Sequence, residues 1–156
     1  MRNCAALAFS LFSLAAPGAF AQEAGEWLFV RSGEAVAGWA PSTLTRAPDG
    51  GAVSIERFIA YPSRQATGDV SYSVVVETVD FRCADHLMKI RDSVFYSDTL
   101  EPNGNGYAED WTATPQSGPD AVLNAVACAG ARMDGARSAA DLMPALRNAL
   151  AMARGG

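Results

Sequence analysis

The run from Val70 to Phe81 alternates at a period of two, with Val70, Tyr72, Val74 and Val76 on one side and Ser71, Ser73, Val75 and Glu77 on the other. Helical spacing would scatter these residues around an axis, so the run is read as the longest strand of a sheet. Its register is pinned by the apolar side, because a slip of one residue would turn that whole side to water.

Other extended segments flank it. Glu26 to Arg31 is short, aromatic and β-branched, and Ser32-Gly33 ends it; Ala35 to Ala40 follows and breaks at Pro41-Ser42-Thr43-Leu44. Pro48-Asp49-Gly50-Gly51 is a turn signal, and Ala52 to Tyr61 reads as a strand with an irregularity, closed by Pro62 because proline supplies no ladder donor. Leu87 to Tyr96 reads as the next strand, with a helix still open as the alternative. The two Asn-Gly pairs in 101–106 favour a turn, and Tyr107 to Ala113, with Trp111, reads as a strand.

Beyond Thr114-Pro115 the period changes. Pro119 suits a first helical position, Asp120 the positive end of the helix dipole, and Val122, Leu123 and Val126 form a stripe that ends at Gly130. A second helix is expected from about Leu142 to Arg154, with Asp141 as N-cap, Pro144 in the first turn and Leu142, Leu146 and Leu150 on one face. The segment Ala131 to Ala140 reads as a linker. Together these features specify an α+β fold: an antiparallel β-sheet with helix packed on one face, one disulfide and a C-terminal helix.

The compartment follows from the first 21 residues. Arg2, the apolar run Ala5 to Ala16, Pro17-Gly18 and the small-residue site Ala19-Phe20-Ala21 have the layout of a signal peptide. The apolar run is shorter than the roughly 20 residues a spanning helix needs, so no spanning segment is expected once the leader is removed. Cys4 lies too early to be a lipoprotein cysteine. Its departure leaves Cys83 and Cys128, which are expected to bridge in an oxidising compartment. The expected organisation is a signal peptide over 1–21, a domain over 22–130, and a linker with C-terminal helix over 131–156. The protein is then exported, to the periplasm, the cell surface or the medium.

Several residues recur in a telling order: Trp27, Pro41-Ser42-Thr43-Leu44, Tyr72-Ser73, Asp80-Phe81-Arg82-Cys83, Tyr96, Trp111, Thr114-Pro115-Gln116-Ser117 and Ala127-Cys128. Over residues 26 to 128 this pattern resembles the surface-adhesin protein E family of bacterial exported proteins. The resemblance implies an antiparallel sheet backed by helix, a bridge between the two cysteines, and binding of host matrix or plasma proteins. An acylated cysteine, which the adhesin itself carries, is not evident, and the helix from Leu142 lies beyond the resemblance.

Charge excludes one partner class. The whole chain of 156 residues carries 12 basic and 17 acidic side chains, and loss of Arg2 with the leader leaves a charge of −6. No basic field is available for a phosphate backbone, so nucleic acid is not expected. Catalytic signals are weak. His86 lies near Asp85 and Asp92, but no Gly-x-Ser-x-Gly elbow accompanies it and the cysteines are expected to be bridged; no enzyme activity is expected. Glu101, Asn103, Asn105 and Gly106 imitate the start of a calcium loop, but Thr112 stands where its bidentate glutamate belongs, so neither metal nor cofactor is expected. Glu109 and Asp110 are adjacent and in a strand would point to opposite faces, which does not suit an acid/base pair.

Recognition of a protein ligand is the remaining expectation, with an interaction partner inside the bacterial envelope as the alternative. Trp39, Tyr61 and Phe95 read as core. The loops 64–69 and 103–107 are flanked by aromatics, and Arg64 and Tyr107 are the expected anchors.

Overall fold

The computed structural model describes residues 25–106 and 108–155; the expected leader at 1–21 and the expected anchor Tyr107 lie outside the described residues. The chain forms β1 (Trp27–Ser32), β2 (Ala35–Trp39), β3 (Thr45–Arg46), β4 (Val53–Thr67), β5 (Val70–Arg82), β6 (Leu87–Tyr96), β7 (Pro102–Gly106), β8 (Thr112–Ala113), α1 (Pro119–Ala129), β9 (Arg137–Ala139) and α2 (Leu142–Ala153). All nine strands join one antiparallel sheet in the order β7-β6-β5-β4-β2-β1-β9, with β3 on β4 and β8 on β6. Mostly antiparallel sheet, two helices and one disulfide define an α+β fold.

The long strands are bent rather than ended by their irregular residues. Pro62 does not close β4, because it sits where the β4–β5 register shifts, between Ala60 and Gln65, and a bulge requires no donor from every residue. Residues 101–106 are not the turn but mostly strand β7. The turn lies one step earlier, where the Ser97 amide donates to the Glu101 carbonyl and Leu100 takes φ +62. Small residues suit β7, since a Cβ on Gly104 would come within 2.9 Å of the Val70 side chain. The Tyr107 to Ala113 strand shrinks to β8. Within the expected linker, β9 pairs with β1, Trp27 opposite Ala139, so the C-terminal part of the chain completes one sheet edge.

Both faces of the sheet are covered, and by different helices. On one face Phe58, Ala60, Val74 and Val76 gather with Trp27, Phe29, Val36 and the α2 residues Ala145, Leu146, Ala149, Leu150 and Ala153. Phe58 lies under β2 here; a Cβ on Gly38 would overlap its ring. On the opposite face Val53, Ile55, Val79 and Phe81 gather with Trp39, Met88 and the α1 residues Leu123 and Ala127. Helix on one face only is therefore corrected: α1 and α2 meet residues of opposite strand parity. Double burial also explains why Ser73, Val75, Glu77 and Thr78 of β5 are buried alongside Val74 and Val76. The inward side expected for β5 is buried at Val74 and Val76, and the other side is buried beside it.

Cys83, just past β5, bridges Cys128 in the last turn of α1, with Cα atoms 5.5 Å apart. Gly130 then takes the left-handed conformation and caps α1. Asp141 occupies the N-cap position of α2, but its side chain makes no capping hydrogen bond; its carbonyl accepts from the Ala145 amide instead.

Candidate functional site

On the α1 face, beyond the helix, the sheet carries a smaller cluster of Ala35, Ile59, Val75 and Phe95 with Tyr61, Val70 and Tyr72 at its margin. Tyr72 stacks tilted on Phe95 at 4.7 Å between ring centroids, and Tyr61 meets Tyr72 edge-on at 6.0 Å. Val70 and Tyr72, expected on one side with Val74 and Val76, pack instead with Phe95 and Val75, on the stretch where the β4–β5 register shifts. A cleft of about 450 Å³ opens over these rings. The hairpin tip at Thr67 and Gly68 forms one wall, and Asn105 and Gly106 of β7, with Glu109 beyond them, form the other. Asn103 fastens the walls together by donating from its side-chain amide to the Ser71 carbonyl at 2.6 Å.

At its inner end the cleft meets a buried ion network that sequence patterning did not single out. Arg57 in β4 faces Glu77 in β5 across the register, and its Nε and Nη2 donate to Glu77 Oε2 at 2.7 and 2.6 Å. Its Nη1 donates to Asp120 in the first turn of α1, so the network also pins the helix to the sheet. Arg57 is 2% exposed. Burial alone would lower the Arg57 pKa, but the charges of Glu77 and Asp120 outweigh it and hold the guanidinium above its ordinary value. The Ser93 hydroxyl adds a long 3.4 Å bond to Glu77 Oε1. Burial, with Tyr72 and Glu77 nearby, pushes the Tyr61 phenol up to about 12.

The expected site residues are distributed differently. Arg64 lies in β4 rather than in a loop, does not line the cleft, and pairs with Asp98 at 2.9 Å, holding that exposed carboxylate below its usual range. Trp39 and Phe95 are buried and Tyr61 is half-buried. His86 sits in the β5–β6 turn at φ +54, its carbonyl accepting from the Thr114 amide beside a shallow pocket shared with Gln116 and Asn124. Of the calcium-like oxygens, Glu101 and Asn103 serve the turn and the hairpin tether while Asn105 lines the cleft; among the described residues no group of His, Cys, Asp and Glu is arranged to hold a metal. Glu109 and Asp110 are both exposed.

No helix among the described residues is long and apolar enough to cross a membrane. No protein-family model, curated protein or solved structure matches the chain.

Proposed function

We propose that the protein is an exported binding module that recognises a protein ligand, without turnover, at the cleft between the β4–β5 hairpin and β7. The observation that carries this reading is the cleft itself: stacked aromatic rings at its base, polar groups on its walls, and strand-end segments around its mouth. Ligand sites combine an apolar floor with a few placed polar groups in this way, and aromatic side chains supply much of the energy of protein interfaces. The bridge between Cys83 and Cys128 supports export, because such bonds persist in oxidising compartments. The resemblance to the surface-adhesin protein E family supports host matrix or plasma proteins as the ligand class.

The test has two parts. Protease treatment of intact cells is expected to remove the protein; full protection, with release only on opening the outer membrane, replaces adhesion by an interaction inside the envelope. The purified protein is then applied to immobilised matrix and plasma proteins beside Asn105→Trp, which fills the cleft mouth, and Arg64→Ala, which leaves the cleft intact. Binding that is lost in Asn105→Trp and kept in Arg64→Ala supports the cleft. Equal binding by a folded Asn105→Trp moves the ligand elsewhere.

A further inference from the structure

We propose that the cleft receives a lysine or arginine side chain of the protein partner, its aliphatic stem on Tyr72 and Phe95 and its cationic head between Glu77 and Glu109. This rests on reading the cleft as the binding site. Charge is the first argument. Glu77 and Glu109 both line the cleft, and among the described residues no lysine, arginine or histidine does. Arg57, which pairs with Glu77, is shared with Asp120, so this network of one arginine and two carboxylates retains a formal excess of one negative charge. A cationic head entering here meets uncompensated carboxylate charge, whereas an anionic one meets repulsion.

Hydrogen-bond capacity is the second. Glu77 Oε2 takes both Arg57 donors, while Oε1 accepts only the 3.4 Å contact from Ser93. A carboxylate oxygen accepts more than one donor, so Oε1 retains capacity, and both Glu77 and its Ser93 partner line the cleft. The rings are the third. A cation within about 6 Å of an aromatic centroid is attracted by the ring face, and the stem of a long basic side chain packs on apolar surface while its head stays polar. Val70 and Ile90 extend that apolar surface on either side of the rings. A neutral apolar side chain would cover the rings but leave Glu77 desolvated and without a new donor, which costs free energy.

The experiment uses the peptide acetyl-Gly-Ser-Lys-Ser-Gly-amide, its arginine counterpart and its Nε-acetyl-lysine counterpart, titrated into the isotopically labelled protein and followed by amide chemical shifts. The basic peptides are expected to move the amides of Tyr72, Glu77, Ser93, Phe95 and Gly106, and acetylation to weaken binding by about tenfold or more. Glu109→Gln, an exposed change with no packing consequence, is expected to weaken the lysine peptide about fivefold, in line with a partly screened charge pair. Equal binding of the acetylated peptide overturns the cationic assignment and leaves the cleft as an apolar site. No shift at the cleft with any peptide also overturns it. The binding-module reading stands or falls separately, on the immobilised-protein assay with Asn105→Trp, which uses none of these peptides.

Discussion

Arg57 shows what a single side chain contributes when it is, among the described residues, the only cation inside the core. Sequence patterning passes over it, because Glu56-Arg57 looks like a polar interruption of a strand, and its partners lie 20 and 63 residues away. Removing it strands two carboxylates, one of them 8% exposed, so Arg57→Met is expected to cost about 3–5 kcal/mol in urea denaturation. Replacing Arg57 and Glu77 together by leucine should recover much of that loss, since a buried pair contributes little beyond an apolar pair of similar size. Tyr61 gives a second residue-scale signature. Its native phenol holds its proton more tightly than the unfolded one, so its contribution to stability is full below pH 10 and is lost as pH rises from 10 to about 12. Absorbance titration at alkaline pH should show a late-ionising tyrosine that Tyr61→Phe removes.

At the level of elements, most of the strands and both helices were legible from period and punctuation, and three misreadings share one cause. Pro62, the Asn-Gly pairs of β7 and the exposed Arg137-Ser138 of β9 all lack an apolar strand pattern, yet each lies in a strand that pairs at a bulge or at a sheet edge. Local propensity describes the chain alone, whereas these strands exist because a partner from elsewhere offers its free backbone groups. The cleft lining was legible only in part: Thr67, Gly68, Asn105 and Gly106 fall within the two loops singled out from the sequence, but the contact of Tyr72 with Phe95 depends on β5 and β6 together. The disulfide, joining the end of β5 to the end of α1 across 45 residues, was read from cysteine count and compartment. Chain entropy assigns a loop of that size about 4 kcal/mol, so reduction or Cys128→Ser is expected to lower the denaturation midpoint clearly. The oxidised protein should weigh two hydrogens less than the reduced one. An unchanged midpoint would mean that α1 is held by Arg57 and its apolar stripe alone.

For the molecule as a whole, the sheet is packed by two helices, α2 with five buried residues and α1 with two. Leu146, fully buried under Phe58 and Trp27, tests the α2 side: Leu146→Ala is expected to cost about 2–5 kcal/mol by denaturation, as truncations of buried leucines do. The pairing of β1 with β9 has a consequence in time as well as in space. The first strand leaves the ribosome more than a hundred residues ahead of the partner that closes its edge, and the helix that covers each face of the sheet follows the long strands it packs on. Contacts so distant in sequence close slowly, since loop entropy must be overcome before they reward the chain. Until β9 arrives, the growing polypeptide cannot shut the β1 edge. For the export proposed above, that delay would be an advantage, because what is threaded through a membrane pore has to reach it unfolded.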